Sequence, residues 1–191
     1  MKYLSHSPTE NSPEGQKLKE HLENTAQLAE TFSCAIGEKD GRLCGLYHDI
    51  GKYSMAFQRR LAGSKETVDH STAGALLMFE RRNVPTAMCI AGHHAGLADL
   101  GTKNDLSDTF MGRINRAKAG ALEDCSAWRS ELPDCIPSGC ENRPGIGNNF
   151  LHENVILCVD GCGLAGYGSL LSQSTCRDKM HRLGCSERKA G

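Results

Sequence analysis

His48-Asp49-Ile50-Gly51-Lys52 is the stretch of this sequence that most restricts its fold and its chemistry. An adjacent histidine and aspartate at a helix end can present both side chains to one metal site, because imidazole binds Fe, Ni, Zn and Mn-like ions and a carboxylate can bridge two ions. Gly51 permits a sharp turn after the pair, which brings Lys52 close enough to meet the negative charge of a phosphate. A solvated surface lysine is the alternative for Lys52.

Other histidines lie on the surrounding predicted helices, near the helix ends in most cases. A single helical histidine is usually a surface or core residue, but several beside one aspartate favour a shared metal site. Two ions roughly 3.5–4 Å apart suit phosphodiester hydrolysis, because they lower the pKa of a bound water toward about 7 and hold the scissile phosphate. The candidates are His21, His48, Asp49, His70, His93 and His94.

The hydrophobic periodicity predicts an all-α core. The first helix is predicted to begin at Ser12-Pro13, with Leu18, Leu22 and Ala26 on its apolar face. Further helices are predicted over 42–50, 53–61, 69–82, 86–94 and 107–131, with Asp69 as a candidate cap and a break at 83–85. One more short apolar helix is expected near 150–160, before an irregular tail.

The composition is that of an ordinary globular protein without a strong global charge. The chain has 191 residues, 39% of them hydrophobic, and a formal net charge of −1. Because no positive field surrounds the molecule, any nucleic-acid contact requires a local basic patch. Candidates to line such a groove, if they are not simply solvated, are Arg59, Arg60, Arg81, Arg82, Lys103, Arg113, Arg116 and Lys118.

The sequence shows neither a signal peptide nor a run of 18 apolar residues, so we expect a cytoplasmic protein without membrane contact. Of its ten cysteines, Cys34, Cys44 and Cys89 lie among apolar neighbours and are expected to be buried reduced thiols. The other seven crowd into 125–185, where a zinc site or a set of disulfides is the less favoured alternative.

The strings around the central pair resemble a known family. The sequences "HLENTAQLAETF" (21–32), "GLYHDIGKYSMAFQRRL" (45–61), "VDHSTAGA" (68–75) and "IAGHHAGLADL" (90–100), together with "YLSHS" (3–7), resemble the CRISPR-associated HD nuclease. This is the nuclease part of the type I CRISPR interference helicase–nuclease. The resemblance covers residues 1–120 closely, with the separate strings in the family's order.

The resemblance implies an HD-domain helical bundle that cuts single-stranded DNA with one or two divalent metal ions held between its helices. His21 would serve the first ion, Asp49 would bridge, and His70, His93 and His94 would serve the second. His48, Asp49 and Lys52 would carry the catalysis, with Lys52 orienting or neutralising the phosphate. Asp160 would complete the first site. The ion is left open among Mn, Ni, Co, Fe, Mg and Zn.

The sequence departs from the family after Asp160, where Gly161-Cys162-Gly163 is poor helix-forming sequence. We therefore expect a nuclease domain over 1–160 and an irregular tail over 161–191, either an out-of-frame or truncated read of a longer gene or a divergent segment. The phosphate-binding loop of a helicase is not found. A separate or missing helicase part and the CRISPR surveillance complex are the partners implied.

Three functions remain open at this point. The first is a metal-dependent nuclease, cutting single-stranded DNA internally or from an end in CRISPR antiviral interference. The second is an HD phosphohydrolase that acts on small nucleotides. The third is an inactive remnant that only docks onto partner proteins.

Overall fold

The computed structural model describes residues 2–10, 13–35 and 40–133, and this part of the chain is predominantly helical. This confirms the predicted all-α fold. Extended pairing includes an antiparallel bridge between Leu4 and Lys17. None of the helices in these ranges is long and apolar enough to cross a bilayer.

The N-terminal segment, residues 2–10, pairs with the residues just before the first helix. The backbone N–H of Ser5 donates to the carbonyl of Gln16 (2.9 Å), and that of Leu18 donates to Tyr3 (2.9 Å). This pairing holds residues 16 and 17 extended, so helix α1 spans Leu18–Ala35 and the predicted start at Ser12-Pro13 is wrong. Pro13 lies in a turn, and Ser12 is outside the described residues.

The predicted apolar face of α1 is confirmed, because Leu18, Leu22 and Ala26 are fully buried. This face packs mainly against the second helix, α2, which spans Gly41–Tyr47. The predicted helix 42–50 is therefore too long, since His48 and Asp49 form a turn that leads into a 3₁₀ helix, Ile50–Tyr53. Helix α3 (Met55–Leu61) follows, capped by the Ser54 hydroxyl that accepts from the Phe57 N–H.

Helices α4 (Thr72–Glu80) and α5 (Val84–Gly92) pack against each other and contribute to the same core. The Asp69 carboxylate accepts from the backbone N–H groups of Ser71 and Thr72 (both 3.1 Å), which confirms its predicted capping role. The predicted break at 83–85 is misplaced, because α4 already ends at Glu80 and α5 begins at Val84, with Pro85 in its first turn. Asn83 caps α5 by accepting from the Thr86 N–H.

The predicted long helix over 107–131 is wrong. Helix α6 spans Phe110–Arg116 and runs into a π-helical turn, Ala117–Ala121. Gly120 adopts φ +92°, a left-handed conformation that no helix continues, and a short helix α7 (Trp128–Glu131) follows only after an extended segment. Trp128 is buried against Tyr47. The helix expected near 150–160 and the tail over 161–191 lie outside the described residues.

Candidate metal centre

The first group of candidate ligands joins the start of α1 to the end of α2. His21 comes from the first turn of α1, and His48 and Asp49 come from the turn after α2. The Nε2 atoms of His21 and His48 lie 3.3 Å and 3.0 Å from Oδ2 of Asp49, and 3.3 Å from each other. All three side chains are buried, so three potential ligand atoms converge on one point inside the helical core.

The second group of candidate ligands faces the other oxygen of the same carboxylate. The Nε2 atoms of His70, just before α4, and of His93, at the end of α5, each lie 3.4 Å from Oδ1 of Asp49. His94 joins them, with its Nε2 2.7 Å from that of His70. His94 is exposed, so this group opens to solvent while the first group is enclosed.

The tautomers of two histidines are set by backbone carbonyls. The Nδ1–H of His48 donates to the carbonyl of Gly45 (2.8 Å), and the Nδ1–H of His93 donates to that of Ile90 (2.7 Å). A neutral imidazole carries one proton, so the Nε2 atoms of both rings present lone pairs to Asp49. Lone pairs that face a carboxylate repel it unless a cation lies between them.

The donor set fits a divalent metal. Two ligands that each lie about 2.1 Å from one ion are about 3.0–3.4 Å apart in octahedral or tetrahedral geometry. The three separations in the first group and the two involving Asp49 in the second fall in this range. Among the described residues, Oδ1 of Asp49 and Nε2 of His93 are buried without a hydrogen-bond partner. Such orphaned buried atoms call for a ligand, and a cation satisfies both.

Lys52 lies inside the site and not on the surface. Its Nζ is 2.7 Å from Oδ2 of Asp49 and donates to the carbonyl of Ser5 (3.3 Å), and the side chain is only 6% exposed. The alternative of a solvated lysine is therefore wrong. A buried carboxylate is costly without a compensating charge, and Lys52 provides that charge.

Burial and nearby charges shift the pKa values of several groups in the site. Burial lowers the pKa of His48 and of His70 to about 4, and burial likewise lowers the pKa of His94. Burial opposes the ionisation of Asp49, but its contacts with His48, the charge of Lys52 and the contact with His21 hold the pKa of its carboxyl well below the ordinary range. At neutral pH the carboxylate of Asp49 is therefore ionised and the rings of His48 and His70 are unprotonated, the forms that bind metals.

Gly51 brings the central motif against the segment that carries His70. A methyl group on its Cα would meet the backbone of His70, with the His70 Cα 2.6 Å away. The predicted helix over 42–50 does not end at Gly51, because Gly51 lies within the 3₁₀ helix. The importance of Gly51 is the close approach of two backbones, which lets His70 reach Asp49.

The structure thus brings together all the predicted ligands except Asp160, which lies outside the described residues. His6, in the string "YLSHS", was not predicted as a site residue. The His6 ring packs edge-on to His21, with ring centroids 5.3 Å apart. Burial and the nearby charge of Lys52 lower the pKa of His6 to about 4. His6 lies in the N-terminal segment, far from the other histidines in sequence, so its proximity to His21 could not be predicted from the sequence.

A helical bundle that encloses histidines around a His-Asp pair defines a class of metal-binding hydrolase. Comparison with protein families agrees, since the model of the HD domain matches residues 18–118, more than half of the chain. The chain belongs to the HD domain family, whose members are typically metal-dependent hydrolases. No curated protein matches it significantly.

Replacing Gly51 with alanine tests the close approach at His70. The added methyl group must displace the His70 backbone, so we expect Gly51→Ala to lower the free energy of unfolding by about 1–3 kcal/mol. We also expect it to weaken divalent-ion binding by the His70 group more than by the His21 group. Urea unfolding and metal titration measure both effects. Gln27→Ala, on the exposed face of α1, should change stability by less than about 0.5 kcal/mol, and an equally small effect of Gly51→Ala would contradict the account.

The neutral buried histidines predict a pH dependence of stability. His48 and His70 stay neutral in the fold down to about pH 4, but in the unfolded chain they take up protons below about pH 6.5. The unfolded state then binds more protons, so the free energy of unfolding falls as the pH drops from 6.5 toward 4. Each histidine contributes a slope of up to about 1.4 kcal/mol per pH unit.

Urea unfolding of chelator-treated protein at pH 7, 6 and 5 measures this slope. His48→Gln should reduce it, because the variant lacks one of the histidines whose pKa is lowered in the fold. A free energy of unfolding that stays constant from pH 7 to pH 5 would show that the buried imidazoles are not neutral in the fold.

Proposed function

We propose that this domain is a metal-dependent nuclease that hydrolyses phosphodiester bonds of single-stranded DNA in type I CRISPR antiviral interference. The observation that carries the metal-dependent hydrolysis is the division of ligand atoms between the two oxygens of Asp49. His21 and His48 face Oδ2, whereas His70 and His93 face Oδ1, with His94 beside them. One carboxylate shared by two such groups suits a pair of divalent ions.

The five histidines and Asp49 would hold these ions. Bound divalent ions would supply Lewis acidity, which lowers the pKa of water toward about 7 and offsets the negative charge of a phosphate. His48 and His93 keep their Nε2 lone pairs directed at the centre through hydrogen bonds to Gly45 and Ile90. Such hydrogen bonds behind the ligands fix ring orientation and typically change metal affinity about 10–100-fold.

Lys52 contributes a permanent positive charge beside the carboxylate. Its ammonium holds Asp49 ionised, and we propose that it also attracts the phosphate of the substrate. The N-terminal segment keeps it there, because Lys52 donates to the Ser5 carbonyl while Gln58 binds both the N–H and the carbonyl of Leu4. The substrate charge would thus meet a cation that is already in place.

The choice of a DNA strand over a small nucleotide has two supports. The first is the resemblance of the strings around the ligands, the tandem His93-His94 included, to the CRISPR-associated HD nuclease. The second is the solvent exposure of His94, which leaves the second ligand group open to the phosphate of a long polymer. We propose that exposed basic residues of α3, Arg59 and Arg60, contact the neighbouring phosphates.

A cleavage assay on end-labelled single-stranded DNA tests this proposal. We expect cutting with Mn, Ni, Co or Mg ions and none after chelation. Asp49→Ala should reduce the rate more than about 100-fold, since even the partners behind metal ligands are worth about 10–100-fold. The control Glu80→Ala, which removes an exposed carboxylate at the end of α4, should cut at the wild-type rate.

The substrate comparison decides between the functions. Hydrolysis of cyclic or free nucleotides with intact DNA strands would replace the nuclease by a small-nucleotide phosphohydrolase. A chain that binds no divalent ion and cleaves neither substrate would be an inactive remnant. Asp160→Ala, run in parallel, tests the remaining predicted ligand, and unchanged cutting would remove Asp160 from the site.

A further inference from the structure

Arg113, on α6, is engaged by an unusually complete set of acceptors. Its Nη1 donates to the carbonyl of Ala91 (2.7 Å), and its Nη2 donates to the hydroxyls of Ser71 and Thr72 (both 2.9 Å). Nη2 also lies 3.3 Å from Oδ2 of Asp69, and Nε donates to the Thr72 hydroxyl (3.2 Å). A guanidinium with this many protein partners has few N–H groups left for DNA, so we remove Arg113 from the predicted basic groove.

These acceptors flank the ligands of the second group. Asp69, Ser71 and Thr72 lie within two residues of His70 in sequence, and Ala91 lies two residues before His93. One side chain from a helix that contributes no ligand therefore joins the two segments that do. The first group receives no comparable contact from Arg113.

The charges of this cluster complement the two helices that they join. Asp69 caps the N-terminus of α4, where a negative charge is favourable, and Arg113 lies at the C-terminus of α5, where a positive charge is favourable. The last carbonyls of a helix lack partners within the helix, and Arg113 satisfies that of Ala91. The ion pair between Asp69 and Arg113 thus fixes the end of α5 against the beginning of α4.

The ligand distances show why this junction matters. The Nε2 atoms of His70 and His94, which come from the two joined segments, are 2.7 Å apart. His70 and His93 approach the same oxygen of Asp49 at equal distances of 3.4 Å. A shift of about 1 Å between the two segments would take these atoms out of range of a common ion, because metal–ligand distances vary by only about 0.2 Å.

We propose that Arg113 is the positioning residue of the second ligand group, where its guanidinium holds the α4 and α5 segments so that His70, His93 and His94 converge on Asp49. This role rests on the proposed metal binding by that group. Arg113 touches neither the ion nor the substrate, and it acts through the segments that carry the ligands.

Metal titration of the whole chain tests the proposal. We expect wild type to bind two Mn or Co ions. Arg113→Met should weaken the ion of the His70 group about 10–100-fold and change the ion of the His21 group less than about 2-fold. Its Co absorption spectrum should match that of His94→Ala, which removes a ligand of the same group directly. Arg113→Lys should bind this ion with intermediate affinity, since one ammonium keeps the charge but cannot reach all the acceptors.

A matched control is Arg42→Met, which breaks the exposed ion pair with Glu30 between α1 and α2 and should leave both ions bound. If Arg113→Met does not fold, Thr72→Val removes one acceptor at nearly constant volume and should weaken the same ion to a smaller extent. Wild-type affinity for both ions in a folded Arg113→Met would overturn the proposal. An equal loss of affinity for both ions would overturn it too, because a residue that only stabilises the fold as a whole would affect the two ligand groups alike.

A second readout does not depend on metal binding. In the metal-free protein, NMR spectra of the imidazole nitrogens should show altered signals for His70, His93 and His94 in Arg113→Met, with those of His21 and His48 unchanged. If wild type binds no divalent ion, the proposed function fails while these spectra still decide the role of Arg113. Unchanged spectra for His70, His93 and His94 would overturn that role.

Discussion

The buried carboxylate of Asp49 is the constraint on which the rest of the described structure depends. It is 2% exposed, and the removal of a carboxylate from water costs several kcal/mol unless cations and hydrogen-bond donors replace the solvent. Lys52 supplies one charge at 2.7 Å. The other oxygen, Oδ1, has no hydrogen-bond donor. The Nε2 atoms of His70 and His93 each lie 3.4 Å from it. The fold therefore pairs one oxygen of Asp49 with a cation and leaves the other oxygen without a hydrogen-bond donor.

Two helices end immediately before the ligand residues that they position. Helix α2 stops at Tyr47, so that His48 and Asp49 lie in a turn whose side chains both point to the centre. Helix α5 stops at Gly92, which leaves His93 and His94 at its C-terminus. The glycine at position 51 brings the backbone of the central motif against that of His70. Helix ends and close backbone contacts thus bring ligands from four places in the sequence to one point.

Much of this could be predicted from the sequence, and the failures have physical reasons. Hydrophobic periodicity reports burial along a helix, so the inner face of α1 was predictable from Leu18, Leu22 and Ala26. Periodicity does not report tertiary pairing, so the start of α1 was missed, because it is set by the bridge between Leu4 and Lys17. The prediction of one continuous helix over 107–131 was wrong for a local reason, because Gly120 takes a left-handed conformation. The adjacency of His48 and Asp49 indicated the centre in the sequence, whereas the proximity of His6 to His21 and the contacts of Arg113 arise only where distant segments meet.

The central claim is that one carboxylate serves two metal ions. Anomalous diffraction from crystals of the protein soaked in Mn measures this most directly. The account predicts two anomalous peaks about 3.5–4 Å apart, each about 2.0–2.2 Å from a different oxygen of Asp49, with His21 and His48 on one ion and His70, His93 and His94 on the other. A single peak, or peaks that Asp49 does not contact, would contradict it.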